Sequence, residues 1–362
     1  MAILPLIAEP DRYEPALWQF GNCPVWLREY WVGHYLRYDT TLLPLLRQSY
    51  PDASESSLES FREDYLDRIR KLDAANGGGN VTPGDDLDAF SIFSLDRFRT
   101  AALIAHGFND PYRASKAHEN NNALRLYPQI IEEVDAIDDT AERWDRLIRG
   151  IFAGNHFDLG SVETAKHYTQ PVAHDLFFKS LSELVPRPWL IDDLGALISK
   201  RLSGEPWTRA MILVDNAGSD FVLGVMPLAR ELVRSESEVI LAANETPALN
   251  DITAREAAWC IERVCQCDPQ IEDAHASGRL SVLSTGSGSP LLDMADISEH
   301  CAEVAGGCDL LIIEGMGRAL ESNFNTRFTV DTIKLAMIKD KAVARAFDGQ
   351  LFDLILRFEA VG

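Results

Sequence analysis

The chain has 362 residues, with 56 Asp plus Glu against 34 Lys plus Arg, a formal net charge of −22 and a pI near 4.7. Hydrophobic residues make up 46% and charged residues 25%, a globular mix with enough apolar content for a large core and too much for disorder. The acidity argues against a nucleic-acid binder, which needs a basic patch for phosphates, and against a polybasic membrane anchor.

The opening MAILPLIAEP lacks a basic start and meets Pro5 early, so it does not read as a signal peptide. No stretch approaches the roughly 18 apolar residues of a membrane span. Apolar residues at helical spacing predict helices over Tyr30–Leu46, Leu58–Leu72, Ala114–Leu126 and Ala141–Phe152. Between the second and third lies a loop, AANGGGNVTPG, whose glycines and proline hold neither helical nor strand period. Asp85, Asp86 and Asp88 follow it and read as an acidic loop end at a helix start rather than a metal cluster.

From about residue 185 the pattern changes to short apolar runs alternating with helical stretches. The runs are Trp189–Ile191, Ala210–Val214, Glu238–Ala243, Leu280–Leu283, Leu310–Ile313 and Leu351–Phe358. Continuous apolar runs of this length are what strands buried on both faces require. The expected fold is therefore a mostly parallel, doubly wound α/β sheet in a domain spanning 151–362, preceded by a helical domain over 1–150. Four runs end in polar or glycine-rich turns, DNAGSD, NETPALND, STGSGSP and EGMGR. Ligands of such sheets bind beyond the carboxyl ends of the strands, where these turns lie.

Asp215 and Asn216 end one run, and Asp251 lies in the loop after the next. Two carboxylates and an amide oxygen form a hard donor set for a divalent cation. A helix cap explains Asp215 and Asn216 equally well. The following helix contains Pro227, which predicts a kink. The turn Thr285–Ser289 offers backbone donors to a phosphate or sugar, or is a plain surface turn. Arg318, in EGMGR, suits a bidentate phosphate contact. Lys334, in DTIKLAMIK, supplies a point charge or is a solvated residue of an amphipathic segment. Asn155 and Asp158 lie in AGNHFDLG, where Asp158 is either a proton-transfer group or a helix cap. The six cysteines form no CxxC pair and read as reduced thiols, which with no targeting signal predicts a cytoplasmic protein. HExxH, GxSxG, a P-loop and GxGxxG are all absent.

Taken together, GIFAGNHFDLGS, LVPRPWLIDDL, ILVDNAGSDFVLGVMPLARELV, VILAANETPALNDIT, LLIIEGMGRALESN and IKLAMIKDKAVARAFDGQLFDLILRFE resemble the DUF89 family of metal-dependent damage-control phosphatases. The likeness runs from about residue 149 onward, more weakly around ENNNALRLYPQII, and is greatest to the subfamily marked by EGMGR. That subfamily includes stand-alone plant enzymes and the phosphatase half of pantothenate kinase 4. The resemblance implies a three-layer α/β/α domain and a divalent metal (Co, Ni, Mn or Mg) held by Asp215, Asn216 and Asp251. It implies that Asn155 and Asp158 line the site, that Arg318 belongs to the subfamily motif and that Lys334 contacts phosphate. Asp158 or Asp251 would orient or deprotonate the attacking water. Substrates would be small phosphorylated metabolites: 4′-phosphopantetheine, its oxidised derivatives, or sugar phosphates. His156, and the Ala-Leu-Glu that follows EGMGR, depart from the residues usual at these positions. Two other readings remain, an S-adenosylmethionine-dependent carboxyl methyltransferase and a non-catalytic phosphometabolite-binding protein.

Overall fold

The computed structural model describes residues 1–15, 23–77, 91–156, 173–204 and 206–361. Seven strands form one sheet: β1 (Ile191–Asp192), β2 (Arg209–Leu213), β3 (Glu238–Ala243), β4 (Leu280–Ser284), β5 (Leu310–Glu314), β6 (Asp331–Met337) and β7 (Leu354–Glu359). Their spatial order is β1-β7-β6-β5-β2-β3-β4. The five strands from β6 to β4 are parallel, β7 runs antiparallel to β6, and β1 runs parallel to β7. The expected α/β sheet is present, with one strand that the apolar runs did not disclose. That strand is β6, whose seven residues are all buried. Asp331 and Lys334 break its apolar run, so the segment reads as amphipathic. Burial is possible because Lys334 Nζ pairs with Glu359 Oε2 of adjacent β7 at 3.1 Å and donates to the carbonyls of Phe324 and Thr326 at 2.9 and 2.5 Å.

The two-residue period of each strand divides its side chains between two apolar clusters. In β2, Met211 and Leu213 face one cluster, whereas Ala210 and Ile212, with Val214 just beyond the strand, face the other. Complete burial of each such aliphatic side chain contributes about 1.5–3 kcal/mol, which is why the strands are apolar on both faces. The first face is covered by α1 (Val25–Arg37), α2 (Asp39–Ser49), α3 (Glu55–Gly77) and α4 (Ile92–Ala105). The second is covered by α5 (Arg113–Asp135), α6 (Thr140–His156), α7 (Ala173–Glu183), α8 (Leu194–Leu202), α9 (Met226–Arg234), α10 (Ala254–Val264) and α11 (Pro269–Ala276). Two short helices, α12 (Glu299–Ala305) and α13 (Lys341–Ala346), complete the first face. The helices of the first 150 residues are thus split between the two faces, and the expected boundary at 150/151 falls inside α6. No helix among the described residues is long and apolar enough to cross a membrane.

Two π-helical turns stand at the carboxyl ends of β2 and β5, over Asp220–Val225 and Met316–Ser322. Such turns widen the helix by one residue and recur at functional sites. Pro227 falls in the first turn of α9, just after the π geometry ends, rather than interrupting an α-helix. α6 crosses the first π turn so closely that a Cβ on Gly154 would lie 2.7 Å from the Ser219 carbonyl oxygen and 2.9 Å from Asp220 Cα. That approach carries the next residue, Asn155, to the strand ends.

Candidate active site at the carboxyl ends of the sheet

From β2 the chain moves outward through β3 and β4, then returns to place β5 on the other side of β2. The loops leaving β2 and β5 therefore diverge and open a crevice between them. After β2, residues 215–217 form a short ladder with residues 250–252. Ala217 N donates to Asn250 O at 3.0 Å and Ile252 N to Asp215 O at 2.9 Å. This ladder sets Asp251 beside Asn216. Asn244 Nδ2 then holds Asp251 Oδ2 and the Ser289 carbonyl, each at 3.0 Å. The Thr285–Ser289 turn thus braces the Asp251 loop. From α5, Asn120 Oδ1 accepts from Gly218 N at 2.7 Å. Lys116, wholly buried, pairs with Asp110 and Glu256 at 3.0 Å each and reaches the Asp251 carbonyl at 3.5 Å.

The side chains form two tiers. The deeper tier is Asp220, Glu314 and Asn155, all buried. Asn155 Nδ2 donates to Asp220 Oδ2 at 2.7 Å, to Glu314 Oε1 at 2.9 Å and, at 3.4 Å, to Asp215 Oδ2. Asp220 Oδ2 also accepts from Asn216 N and Nδ2 at 3.2 and 2.9 Å, and Glu314 Oε2 accepts from Asp215 N at 2.9 Å. These bonds orient Asp215 and Asn216 from behind. Burial, followed by the charge of Asp215, pushes Asp220 up to about 7. Burial, with the charges of Asp220 and Asp215, pushes Glu314 well above the usual carboxylate range.

The outer tier is Asp215, Asn216 and Asp251, which line a cavity of about 370 Å³ together with Lys339 and Glu321. Arg318 joins the two carboxylates: Nη1 pairs with Asp215 Oδ1, and Nη2 with Asp251 Oδ2 at 2.7 Å. Those charges outweigh the cost of burying Arg318 and hold its guanidinium above its ordinary range. Lys339 Nζ donates to the Asn155 carbonyl at 3.0 Å. Tyr30, Trp31, His34 and Tyr35 of α1, with Tyr38 just past its end, form another wall.

The residues fit a divalent cation. Asp215, Asp220 and Glu314 offer ligand atoms within 4.8 Å of one another, all buried. Asp220 Oδ1 has no hydrogen-bond partner among the described residues. Carboxylates crowded out of water need a compensating charge, and an all-oxygen set suits a hard ion. Asp215, of the outer tier, is common to two donor sets, one with Asn216 and Asp251 and one with Asp220 and Glu314.

Among the residues expected from the sequence, the fold brings Asp215, Asn216, Asp251, Asn155 and Arg318 together. It does not bring Lys334: its ammonium is spent on Glu359 and two carbonyls, and Lys339, five residues on at the end of β6, reaches the cavity instead. Asp158 and the Asp85, Asp86 and Asp88 group lie outside the described residues. Sequence reasoning missed Asp220, Glu314, Lys339 and Glu321. Glu314 opens EGMGR and Asp220 closes DNAGSD, so position in the two turns was the available signal.

Residues 42–355 match the family model of the damage-control phosphatase ARMT1-like domain. The chain is 37% identical over 314 residues to a damage-control phosphatase of Arabidopsis thaliana, covering 86% of this chain and 82% of that protein. It is 29% identical over 411 residues to the 4′-phosphopantetheine phosphatase of Mus musculus, covering 98% of this chain but 48% of that one. It is 37% identical to pantothenate kinase 2 of Oryza sativa and corresponds to 41% of that protein's length. A DUF89 family protein from Pyrococcus horikoshii shares the fold at a TM-score of 0.58, with 16% identity over 92% of this chain and 97% of that one. With most of its length matched to the family model, and the EGMGR turn delivering Glu314 and Arg318 to the strand ends, the chain belongs to the damage-control phosphatase ARMT1-like family.

Proposed function

We propose that the chain hydrolyses phosphomonoesters of small metabolites, with a divalent metal held by Asp215, Asn216 and Asp251. The observation that carries this reading is the division into tiers. Asp215, Asn216 and Asp251 line the cavity, whereas Asp220 and Glu314 lie behind them and accept the hydrogen bonds that fix them. Bound there, a divalent ion supplies Lewis-acid stabilisation of the phosphoryl oxygens and activation of water.

Arg318 and Lys339 offset negative charge on the phosphoryl group during transfer. Asp251, fixed by Asn244, accepts a proton from the attacking water. The α1 wall excludes bulk water from its side. The oxygen donor set suits magnesium or manganese, and cobalt and nickel belong in the same comparison. The name of the Mus musculus relative points to 4′-phosphopantetheine; its oxidised derivatives and sugar phosphates are the other substrates proposed. Six free cysteines accord with a cytoplasmic location.

The test is phosphate release from a panel of phosphomonoesters by protein stripped of metal and then supplied with Co, Ni, Mn or Mg. Metal-dependent release is expected, and its ranking orders the substrates. Folded protein that releases no phosphate with any of the four metals overturns the reading.

A further inference from the structure

Arg99 of α4 lines the same cavity as Asp215, Asp251 and Lys339, yet is only 4% exposed. Its guanidinium packs against the rings of Tyr35 and Tyr38, 5.7 and 5.8 Å from their centroids. Among the described residues it hydrogen-bonds through Nη2 alone, to Asp96 Oδ1. Asp96 Oδ2 accepts from Ser289 Oγ at 2.9 Å, which anchors the pair to the loop after β4. A guanidinium carries five N–H donors in a rigid fork, and donors held away from water with no acceptor are costly. Arg318 spends its fork on Asp215 and Asp251, whereas the rest of the Arg99 fork is left for something that enters the cavity.

α1 measures how far Arg99 stands from Lys339. Tyr30 OH donates at 2.6 Å to Asp340 Oδ2, next in the chain to Lys339. Tyr38, eight residues on and just past the end of α1, packs on Arg99. At roughly 1.5 Å of rise per residue, that span is about 12 Å. The sheet order agrees. Lys339 follows β6, whereas the Ser289 carbonyl is held by Asn244, the first residue after β3, and β5 and β2 lie between. Three strand spacings come to about 14 Å. Leu249, Pro290, Leu291 and Met316 give the same cavity an apolar lining.

We propose that Arg99 is a specificity-determining residue that reads the far end of the substrate. It donates to a neutral oxygen acceptor, a carbonyl or hydroxyl, on the organic part of the phosphomonoester. The proposal rests on the phosphatase reading above, which sets the phosphate among Arg318, Lys339 and the metal carboxylates. Asp96 already balances the charge of Arg99, so a dipole suits the remaining N–H groups better than a second anion. Esters that lack the acceptor, or are too short to present it, leave those donors unpaired and are discriminated against.

The test compares 4′-phosphopantetheine, whose chain carries amide carbonyls, with n-hexyl phosphate, which has none. The wild type is expected to favour the amide ester. The double variant Arg99→Met/Asp96→Asn removes both charges of the pair together and so leaves no unpaired carboxylate buried. In it the ratio of kcat/KM between the two esters is expected to fall by about 10- to 100-fold. An unchanged ratio, or a wild type with no preference, overturns the proposal while leaving the phosphatase reading standing. Wild-type protein that hydrolyses neither ester overturns both. Should the double variant not fold, a series of ω-acetamidoalkyl phosphates on the wild type decides. A kcat/KM that peaks at one chain length supports a fixed donor, and a flat series excludes it.

Discussion

Gly315 lies directly against the carboxylate of Asp215: a Cβ at Gly315 would stand 2.2 Å from Asp215 Cγ. Gly315 also has φ +98°, a conformation that disfavours any side chain. The first residue after β5 therefore sets the position of the second residue after β2. Gly315→Ala is expected to displace Asp215, to lower stability by about 1–3 kcal/mol and to lower phosphate release at least about 100-fold. Thermal melting and a release assay on one preparation check both; a fully active Ala variant would show that Asp215 tolerates movement.

Asp215 belongs to both donor sets, so it is the residue whose charge matters most. Asp215→Asn is expected to abolish metal-dependent phosphate release while the chain stays folded by circular dichroism. Titration calorimetry with Mn should show metal affinity reduced by 10-fold or more. Near wild-type activity in this variant would mean that the metal assignment is wrong.

Lys339 and Lys334 are five residues apart and should separate cleanly in function. Lys339→Ala is expected to lower kcat/KM by about 100-fold, because an oriented charge at the cavity is lost. Lys334→Met, with its ammonium removed from β6, is expected to change kcat/KM by less than about threefold. The reverse pattern would return the phosphate contact to Lys334.

Lys334 has its own signature in stability. Burial, only partly offset by Glu359, lowers it from the ordinary 10.5 to about 8. Between those values the unfolded chain holds a proton that the folded chain has released, so unfolding takes up a proton. Stability should therefore rise with pH across that window by up to about 3 kcal/mol from this group, and this contribution is lost as pH falls through about 8. Denaturant midpoints measured across the window should show this rise in the wild type, and Lys334→Met should lack it. Parallel curves would indicate that Lys334 titrates normally.

Asn155 donates from one nitrogen to three buried carboxylates. Asn155→Ala leaves Asp220 and Glu314 without that donor and is expected to destabilise the metal-free protein by about 1–3 kcal/mol. Added metal should narrow the gap in melting temperature, since a cation binding the folded state compensates the same charges. A gap that metal leaves unchanged would place Asn155 outside the metal's influence.

The strand–turn pattern was legible because strands buried on both faces must be continuously apolar, as β2, β3 and β5 are. β6 escaped because Lys334 interrupts its run, and only its neighbour β7, with Glu359, makes a buried lysine tolerable there. Asp215, Asn216, Asp251 and Arg318 were legible as polar residues in the turns that end those strands. Glu314 and Asp220 lie in the same turns but gave no sign of their depth.

What the sequence by itself determined is the alternation of strands and crossovers and the chemistry placed at their carboxyl ends. Local spacing governs both, since side-chain periodicity and turn residues act over a few positions. Only the tertiary structure decided which turns meet. β5 returns beside β2, so EGMGR faces DNAGSD, and α6 brings Asn155 into the gap across Gly154. It also decided which lysine reaches the cavity. Lys334 is held among Glu359 and two carbonyls inside the sheet, whereas Lys339 stands past the end of β6, where the crevice opens. Strand order and side-chain direction depend on contacts between residues far apart in the chain, such as Lys339 with Asn155, 184 positions away, and no local pattern encodes them.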